Sequence, residues 1–429
     1  MDLQLPRGMR DFAPAEKLLR DEVTAKLKAT FERYGFNPLE TPIVERWEVL
    51  SAKYGGGEEI LKETYKLTDQ GGRQLGLRYE LTTSLARFVG MNLSIKKPFK
   101  RYQIGLVYRD GPLKKGRYRE FYQCDVDTVG ATSMLADAEC IQVALDFFEQ
   151  IGFEVEVRVN NRKLLFDLAR LFLEARDEDR ALSFILSLDK LEKIGRDGVT
   201  KELRKKGFEQ NLDELWALVD LDVDNRVILE QLRQAMPSEY AAGWLKELDD
   251  LLTFLENNPR VRFLPSLARG LGYYTGTVFE VFMSDDSFHG ALASGGRYDH
   301  LIGDFLGSKD QIPAVGISFG LEPICELIKD RQGSENMKKS TVQVYVVPIQ
   351  TQKESLALLK QLRAAGLHAD MDLMGRGPSA NFKYANAYAI PYVIVVGPDE
   401  LAAGKVTLKN MESGKEEQLS PERVVEKLK

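Results

Sequence analysis

Apolar residues recur at helical spacing near the start of the chain, at Leu18, Leu19, Val23, Leu27, Phe31 and Tyr34. This spacing predicts an amphipathic helix. Asp11 is a candidate cap for it, Pro14 falls in its first turn, and Gly35 ends it. Pro38 and Pro42 then interrupt an extended segment, so the helix does not continue.

Shorter patterns of period two follow and predict strands. Tyr65–Leu81 is typical of a hairpin, and Lys100–Val129 of a strand, a long basic loop and a second strand. A helix is predicted after Ser133, and further strands are predicted at Val155–Val159 and Leu271–Met283. These segments favour a strand-rich domain with helices beside the sheet.

Three later regions differ in character from this first domain. Leucines at helical spacing dominate residues 164–257, which predicts a helical insertion within the strand-rich domain. The polar segment 329–340 is typical of a linker, so the first domain is predicted to cover residues 1–328. Strands and helices alternate over residues 341–429, which predicts a compact α/β domain.

Composition narrows the classes of function. The 429 residues are 44% hydrophobic and carry a net charge of -6, so any polyanionic partner must meet a local basic patch. Cys124, Cys140 and Cys325 lie far apart without CxxC spacing, which argues against a disulfide framework or a structural zinc site. Residues 1–10 show no signal peptide, and no apolar run approaches the length of a membrane span. We therefore expect a cytoplasmic protein with no membrane partner.

A basic loop is the strongest electrostatic signal in the sequence. Its cations, with those just before it, are Lys96, Lys97, Lys100, Arg101, Arg109, Lys114, Lys115, Arg117 and Arg119. Such a run is most often a solvated surface loop. It can also be directed at one point, such as a triphosphate or a nucleic-acid backbone. Arg109 favours the second interpretation because it directly follows an apolar strand, although the sequence has no GxxxxGK[ST] phosphate loop.

Polar and glycine-rich segments supply further candidate site residues. The strand after the basic loop places Gln123, Asp125 and Asp127 at alternate positions, and therefore on one face of a sheet. The glycines of "ALASGGRYDHLIG" (291–303) allow close approach of a ligand that Arg297 and Tyr298 can face, although a plain hairpin turn is the alternative and the motif is weak when taken alone. The three histidines have no metal-ligand spacing, so the sequence identifies no metal ligands.

Five segments, in their order along the chain, resemble motifs of the class II aminoacyl-tRNA synthetases. The three class motifs are matched by "GFNPLETPIVE" (35–45), "VYRDGPLKKGRYREFYQCDVD" (107–127) and "AVGISFGLEPI" (314–324). The stretches "RGLGYYTGTVFE" (269–280) and "SGGRYDHL" (294–301) resemble motifs of one family in the class, the histidyl-tRNA synthetases. The resemblance spans nearly the whole chain and is weakest over the helical insertion.

The resemblance implies both a fold and a reaction. The implied fold is α+β, with a class II antiparallel sheet flanked by helices, a helical insertion that clamps the tRNA acceptor arm, and a C-terminal α/β domain that binds the anticodon. The implied enzyme is a histidine–tRNA ligase. It would form histidyl-adenylate from L-histidine and ATP, with Mg²⁺ accompanying the ATP, and then charge the 3′ end of histidine tRNA. Pro42 would lie at the interface of a homodimer.

The resemblance also implies roles for individual residues. Arg269 would bridge the histidine carboxylate and the ATP α-phosphate, as the main catalytic residue together with Arg109. Asp127 and Tyr274 would contact the imidazole, and Glu80, Thr82 and Gln123 would contact the α-amino group. Tyr298 would line the amino-acid pocket. Arg109 would bind the α-phosphate, and Arg117 would bind the outer phosphates.

One position departs from the class pattern. Pro323 stands where the third motif normally has an arginine that contacts ATP. Either a local shift or another cation, such as Arg297, takes over that role, or ATP binding is weakened.

Two other functions remain open at this stage. A synthetase-like regulatory subunit of ATP phosphoribosyltransferase is the first, although such proteins typically lack the C-terminal domain. A tRNA-sensing domain of a kinase is the second, but the chain has no kinase-like segment. In the last domain, "GRGPSANFKYANA" (375–387) can bind unstacked anticodon bases through Arg376, Phe382, Lys383 and Tyr384, or can form a simple packing helix.

Overall fold

The structure is a computed structural model that describes residues 3–51, 58–113, 118–175, 177–269, 272–285, 287–308, 311–333 and 337–429. The chain divides into two compact units. The first contains residues 1–10 and 23–328, and the second contains residues 11–22 and 329–429. Each unit is described by itself below.

The first unit is built on strands with helices beside them. Its strands are β1 (Asn37–Pro38), β2 (Val44–Arg46), β3 (Lys66–Thr68), β4 (Gln74–Leu77), β5 (Phe99–Tyr108), β6 (Glu120–Val129), β7 (Val155–Asn161), β8 (Val261–Phe263), β9 (Thr277–Met283), β10 (Ala293–Arg297) and β11 (Ala314–Gly320). The helices up to residue 332 are α1 (Pro14–Arg33), α2 (Trp47–Leu50), α3 (Glu58–Glu63), α4 (Thr82–Met91), α5 (Met134–Gln150), α6 (Arg162–Leu173), α7 (Glu178–Leu188), α8 (Leu191–Lys205), α9 (Leu212–Val219), α10 (Asn225–Ala235), α11 (Ser238–Phe254), α12 (Leu301–Phe305) and α13 (Leu321–Gln332).

Eight strands form the central sheet, in the order β1-β5-β6-β11-β10-β9-β7-β8. All neighbours pair antiparallel except β1 with β5 and β7 with β8. The predicted hairpin at Tyr65–Leu81 is confirmed as β3 and β4, which join β2 in a separate three-stranded sheet. The helices with a mostly antiparallel sheet confirm the α+β class.

The helical insertion occupies the connection between β7 and β8, where the chain forms the six helices α6 to α11. It buries many apolar side chains, among them two tryptophans, Trp216 and Trp244. Trp244 donates an indole hydrogen bond to Asp167 at 3.1 Å, and Trp216 donates one to Thr200 at 3.0 Å, so both rings have fixed orientations. Helix α11 also packs against α5, which attaches the insertion to the central sheet.

Two sequence predictions need correction in this unit. The strand predicted from Leu271 begins only at Thr277. The glycine-rich stretch 291–303 is not a simple turn, because it contains β10, an interior strand of the sheet. A Cβ atom at Gly295 would lie 2.1 Å from the carbonyl oxygen of Gly316, so β10 has glycine where the neighbouring strand leaves no space for a side chain.

The second unit contains a five-stranded sheet in the order β13-β12-β14-β15-β16. Its elements after residue 340 are β12 (Val344–Pro348), α14 (Gln352–Ala364), β13 (Ala369–Met371), α15 (Pro378–Ala387), β14 (Tyr392–Val396), α16 (Pro398–Ala402), β15 (Val406–Asn410), β16 (Glu416–Leu419) and α17 (Pro421–Leu428). The strands β12, β13 and β14 are parallel, as expected where helices alternate with strands. The antiparallel hairpin of β15 and β16 has no counterpart in the sequence prediction.

The structure also bears on membrane insertion. Among the described residues, no helix combines the length and the apolar character needed to cross a bilayer.

Candidate active site

A cavity of about 300 Å³ opens on one face of the central sheet. Strands β6, β9, β10 and β11 lie side by side in this sheet. All the predicted site residues that the structure describes line this cavity, namely Glu80, Thr82, Arg109, Gln123, Asp127, Arg269, Tyr274 and Tyr298. Arg117, the remaining predicted site residue, lies outside the described residues. The fold therefore brings together side chains that are far apart in the sequence.

Strand β6 supplies the polar floor of the cavity, because its alternate side chains share one face. Gln123, Asp125 and Asp127 all line the cavity, as the alternation predicts. Gln123 donates a hydrogen bond from Nε2 to the hydroxyl of Ser318 at 3.2 Å. No described residue donates a hydrogen bond to Gln123 Oε1, although this atom is buried, so it is available to a ligand.

Asp127 is held by contacts from two other strands or loops. The hydroxyl of Tyr298 donates a hydrogen bond to Asp127 Oδ1. On the other side, Arg101 Nη2 lies 2.7 Å from Asp127 Oδ2, where it forms a buried ion pair. Burial raises the pKa of the Asp127 carboxyl overall, and Arg101 and the Tyr298 hydrogen bond offset this rise only in part. The structure thus supplies the groups that favour an ionised Asp127 in a site where burial opposes ionisation.

Glu80 stands at the start of α4, on the other side of the cavity. Its carboxylate accepts backbone N–H hydrogen bonds from Thr82 and, at 2.7 Å, from Thr83. These are the first N–H groups of α4, which have no partners within the helix. The contacts fix the Glu80 carboxylate where its remaining lone pairs are directed to the cavity that it lines.

Arg269 is positioned by an acidic residue from a neighbouring strand. Its guanidinium forms an ion pair with Glu280 of β9 and donates a hydrogen bond to Ser294 of β10 at 3.1 Å. Burial lowers the pKa of Arg269, but Glu280 together with Tyr274 and Tyr273 outweighs this effect, so the pKa is raised overall and the side chain stays cationic. Arg269 Nε is buried, and no described residue accepts a hydrogen bond from it.

Three tyrosines form the aromatic wall of the cavity. The rings of Tyr273 and Tyr274 lie 4.8 Å apart, and Tyr273 meets Tyr298 edge to face at 6.0 Å. Burial raises the pKa of the Tyr274 hydroxyl, so this group remains protonated at neutral pH and can donate or accept a hydrogen bond.

The cavity therefore combines two arginines, three carboxylates and several phenols from strands of the central sheet and from segments beside them. Residues 8–324 match the sequence profile of the histidyl-tRNA synthetases. The chain belongs to the histidyl-tRNA synthetase family. This confirms the resemblance predicted from the motifs. Residues 343–429 match a second profile, that of an anticodon-binding domain.

Relatives cover nearly the whole chain. The protein named histidine–tRNA ligase 1 of Bacillus cereus is 42% identical over 422 residues, which are 97% of this chain and 95% of that protein. A crystal structure of histidyl-tRNA synthetase from Nostoc sp. PCC 7120 is 32% identical, with a TM-score of 0.87 over 100% of this chain and 99% of that chain. These relatives confirm the predicted enzyme class, and the structural likeness confirms the predicted fold.

One structural neighbour bears on the alternative function. A Bacillus halodurans chain described as an ATP phosphoribosyltransferase regulatory subunit/histidyl-tRNA synthetase has a TM-score of 0.77, covering 92% of this chain and 99% of that chain. It is only 23% identical, so the likeness establishes a shared fold and nothing about function.

The cations in and near the basic loop of the family's second motif have different surroundings, although the sequence groups them together. Arg109 stacks on the ring of Tyr79 at 4.2 Å and on that of Phe121 at 4.9 Å, so its guanidinium is held at the cavity wall. Arg119 instead pairs with Asp110 at 2.9 Å. Arg101, grouped with these surface cations in the sequence, is fully buried in β5. Lys114 and Lys115, like Arg117, lie outside the described residues.

The suggestion that Arg297 replaces the arginine of the family's third motif is wrong. Arg297 is 3% exposed, forms ion pairs with Asp137 and Asp299, and is absent from the described lining of the cavity. Its cation is therefore committed to the fold. Pro323 lies in the first turn of α13, where proline is tolerated, and packs closely against Gly320.

In the second unit, the two interpretations of residues 375–387 apply to different side chains. Phe382 and Tyr384 are half-buried against the apolar cluster around Tyr345, so they contribute to packing. Arg376 pairs with Asp372 at 3.1 Å and stacks on Tyr384 at 4.5 Å. Lys383 is an exposed cation, so it is accessible to a polyanion.

The sequence interpretation assigned no role to several residues that build the site. Glu280, Ser294 and Ser318 orient Arg269 and Gln123, and Arg101 supports Asp127. Single polar residues in otherwise apolar strands, such as Glu280 in "TVFEV", are the signal that could have identified them. No cluster of three or more histidine, cysteine or acidic side chains suited to a metal occurs in the part of the chain that the structure describes.

Proposed function

We propose that the chain activates L-histidine with ATP and transfers it to the 3′ end of histidine tRNA. The observation that carries this proposal is the cavity itself. It has an anionic acceptor, Asp127, at its floor and two oriented cations, Arg269 and Arg109, at its walls. This arrangement suits a substrate with a polar ring at one end and a carboxylate facing a phosphate at the other.

The polar groups of the cavity complement histidine. Asp127 accepts one imidazole N–H, and the Tyr274 hydroxyl bonds the other ring nitrogen. Glu80, Thr82 and Gln123 receive the α-amino group, because Glu80 and Gln123 Oε1 offer acceptors there. Tyr298 lines the same pocket through its contact with Asp127. A ligand without ring nitrogens would leave these buried groups unpaired, and such sites reject analogues by roughly 10⁴–10⁵.

The arginines act on the phosphates. Arg269 bridges the histidine carboxylate and the ATP α-phosphate, Arg109 binds the α-phosphate, and Arg117 binds the outer phosphates. ATP arrives as its Mg²⁺ complex. The histidine carboxylate attacks the α-phosphorus and pyrophosphate leaves, so the protein needs no nucleophile of its own. Catalysis then comes from positioning and from cations around the phosphorus.

Pyrophosphate exchange tests this proposal. The purified chain with ATP and L-histidine, without tRNA, should incorporate labelled pyrophosphate into ATP, and omission of histidine should abolish the exchange. A regulatory subunit would give no histidine-dependent exchange, and that result would overturn the proposal. Charging of histidine tRNA by the same preparation tests the second step.

We also assign the reaction to the cytoplasm, because the described cysteines are all buried free thiols that suit a reducing compartment.

In this proposal each domain has a separate role in the reaction. Residues 1–328 form the catalytic domain, in which the insertion 164–257 contacts the acceptor arm of the tRNA. Residues 329–340 link it to residues 341–429, which bind the anticodon. The match of residues 343–429 to an anticodon-binding profile supports this assignment.

Reversal of one exposed charge tests the anticodon role. Lys383→Glu should raise the KM for tRNA in the charging reaction about tenfold, because a lost cation and a new anion both weaken contact with RNA phosphates. Pyrophosphate exchange should not change. Lys353→Glu, at an exposed position on α14, is the matched control and should charge normally. Equal behaviour of the two variants would contradict the assignment of residues 375–387 to RNA binding.

We further propose that the protein is a homodimer. Ile43, Val44 and Leu67 belong to the small three-stranded sheet or its approach, and each is about 40% exposed. Several exposed apolar residues on one small sheet favour a contact surface. Ile43 and Val44 directly follow Pro42, which the family resemblance places at the dimer interface.

Light scattering should give twice the 48.5 kDa mass of one chain. Val44→Glu should yield monomers, because a charge in an apolar interface is left without compensation. Leu356→Glu, at a comparably exposed leucine of α14, should remain dimeric. A monomeric wild type that activates histidine normally would refute the dimer.

A further inference from the structure

Arg101 is the most deeply buried cation in the described part of the active-site sheet. Its exposure is 0%, and it lies in β5 directly opposite Asp127 of β6. Its Nη2 lies 2.7 Å from Asp127 Oδ2, but none of its N–H groups is directed at an acceptor among the described residues. Burying a charge with so few hydrogen bonds is costly, so the sheet retains this cation at the expense of stability.

Asp127 is confined by its neighbours on both sides of β6. Arg101 faces it from β5, and the Tyr298 hydroxyl bonds its other oxygen. On β11 its register partner is Gly316, where an added Cβ would lie 2.0 Å from Asp127 Oδ1. The carboxylate therefore occupies a slot whose walls are a cation, a phenol and bare backbone.

The charges around this slot are mainly negative. Asp125 shares one face of β6 with Asp127, and Glu80 interacts electrostatically with both, so Asp127 has two other carboxylates near it. Burial raises the pKa of Asp125 as well as that of Asp127, and Arg101 lowers both. Without the guanidinium, Asp127 would more readily take up a proton.

Protonation would change what Asp127 recognises. An ionised carboxylate only accepts hydrogen bonds, whereas a protonated one donates as well. The ionised form selects a ring that presents an N–H, and the protonated form tolerates a ring that presents only an acceptor nitrogen. The charge at position 101 therefore decides which ring chemistry the floor of the cavity accepts.

We propose that Arg101 is a specificity-determining positioning residue that keeps Asp127 an ionised acceptor for the imidazole N–H of histidine. This inference rests on the proposed histidine activation. If the wild type shows no histidine-dependent pyrophosphate exchange, the proposed function itself fails. The role of Arg101 is tested only against an active wild type, so the two failures can be distinguished.

Neutralising the cation is the first test. Arg101→Gln should raise the KM for histidine in pyrophosphate exchange roughly 10–100-fold, the effect expected for a weakened hydrogen bond to a charged group. The KM for ATP should stay within about twofold, because the described contact of Arg101 is with Asp127, which is not assigned to the phosphates. Arg101→Lys keeps the charge and should raise the histidine KM by less than about tenfold.

A second buried arginine–aspartate pair in the same unit provides the control. Arg297 and Asp137 are 3% and 0% exposed, and neither belongs to the described lining of the cavity. Arg297→Gln should lower the melting temperature as Arg101→Gln does, but leave the KM for histidine unchanged. If both variants raise it equally, general loosening of the sheet explains the effect and the inference is wrong.

The pH profile of kcat/KM for histidine separates a charge effect from a structural one. The titratable and charged groups near Asp127 are Arg101 from β5, Asp125 on its own strand, Tyr298 after β10, Glu80 before α4 and Cys140 of α5. Ionised Asp127 binds the N–H, so affinity is present above its pKa and is lost as the pH falls through it. Arg101→Gln should move this acid limb upward by about one pH unit, whereas Arg101→Lys should not. The imidazole of free histidine also titrates near pH 6.5. This titration is the same in every experiment, so it cannot cause a difference between the variants. An acid limb that does not move in Arg101→Gln would overturn the inference.

A histidine analogue tests the inference even if Arg101→Gln fails to fold. 2-Thiazolylalanine has a ring acceptor nitrogen but no ring N–H. Wild type should activate it at least about 100-fold less well than histidine, because Asp127 would be left without a donor. In Arg101→Gln the ratio of histidine activation to 2-thiazolylalanine activation should be smaller than in wild type at neutral pH. Comparable activation of the two amino acids by wild type would exclude an ionised Asp127 as the selective group.

Discussion

Arg269→Lys should lower the turnover of histidyl-adenylate formation by about 100-fold or more, with much smaller changes in the KM for histidine and ATP. Glu280 and Ser294 orient the guanidinium of Arg269. A guanidinium can contact two anions at once through its planar fork, and a lysine ammonium cannot reproduce that geometry. The contact is strongest when carboxylate and α-phosphate approach each other, so its loss affects turnover more than binding. Arg269→His should be at least as severe.

The measurement is pre-steady-state pyrophosphate release, with a melting curve for each variant. Arg158→Lys is a matched control, because Arg158 also pairs with a glutamate of the sheet, Glu156, and is similarly half-buried. It should release pyrophosphate at the wild-type rate. A folded Arg269→Lys protein with an unchanged rate would refute the proposed bridge between the histidine carboxylate and the ATP α-phosphate. Arg269 would then only stabilise the turn in which it lies.

Gly316→Ala should raise the KM for histidine by about 100-fold, through displacement of Asp127. The new Cβ would lie 2.0 Å from Asp127 Oδ1 and 2.7 Å from the carbonyl oxygen of Val126. The second atom belongs to the backbone of the central sheet, so it cannot move away cheaply. Asp127 must therefore leave its place between Tyr298 and Arg101, and the imidazole loses its acceptor.

Isothermal titration with histidine and with ATP separates this effect from general damage. Affinity for ATP should be retained, because no phosphate contact is assigned to Asp127. Gly243→Ala in α11 is the control, since nothing lies within 4 Å of its added Cβ. That change should preserve activity and add up to about 1 kcal/mol of stability, the usual gain of alanine over glycine within a helix. Normal histidine affinity in a folded Gly316→Ala protein would remove Asp127 from the imidazole site.

The same glycine shows where prediction from the sequence stops. The alternation in "FYQCDVD" correctly placed Gln123 and Asp127 on one face, because side chains of a strand alternate whatever its neighbours are. The stretch "AVGIS" showed a strand but gave no reason for its glycine. That reason is the pairing of β11 with β6, which brings Asp127 against Gly316.

Arg101 and Arg297 show the same limit of prediction from the sequence, here for charged residues. Arg101 was grouped with surface cations, and Arg297 was offered as a ligand for ATP, because each stands in a sequence rich in functional residues. The structure buries both in ion pairs, Arg101 with Asp127 and Arg297 with Asp137. Whether a cation faces solvent, substrate or a carboxylate depends on residues that lie far away in the chain.

The sequence by itself determined the elements with local causes and the family, because helix periodicity, strand alternation and motif residues are properties of neighbouring positions. It also identified candidate side chains for substrate binding through the family motifs, and those that the structure describes line one cavity. Only the tertiary structure decided which groups hold those side chains in place. Glu280 reaches Arg269 and Arg101 reaches Asp127 only after strands distant in the sequence have paired. Burial then sets their electrostatics, since a charge that is solvated on an isolated strand must find its partner inside the sheet.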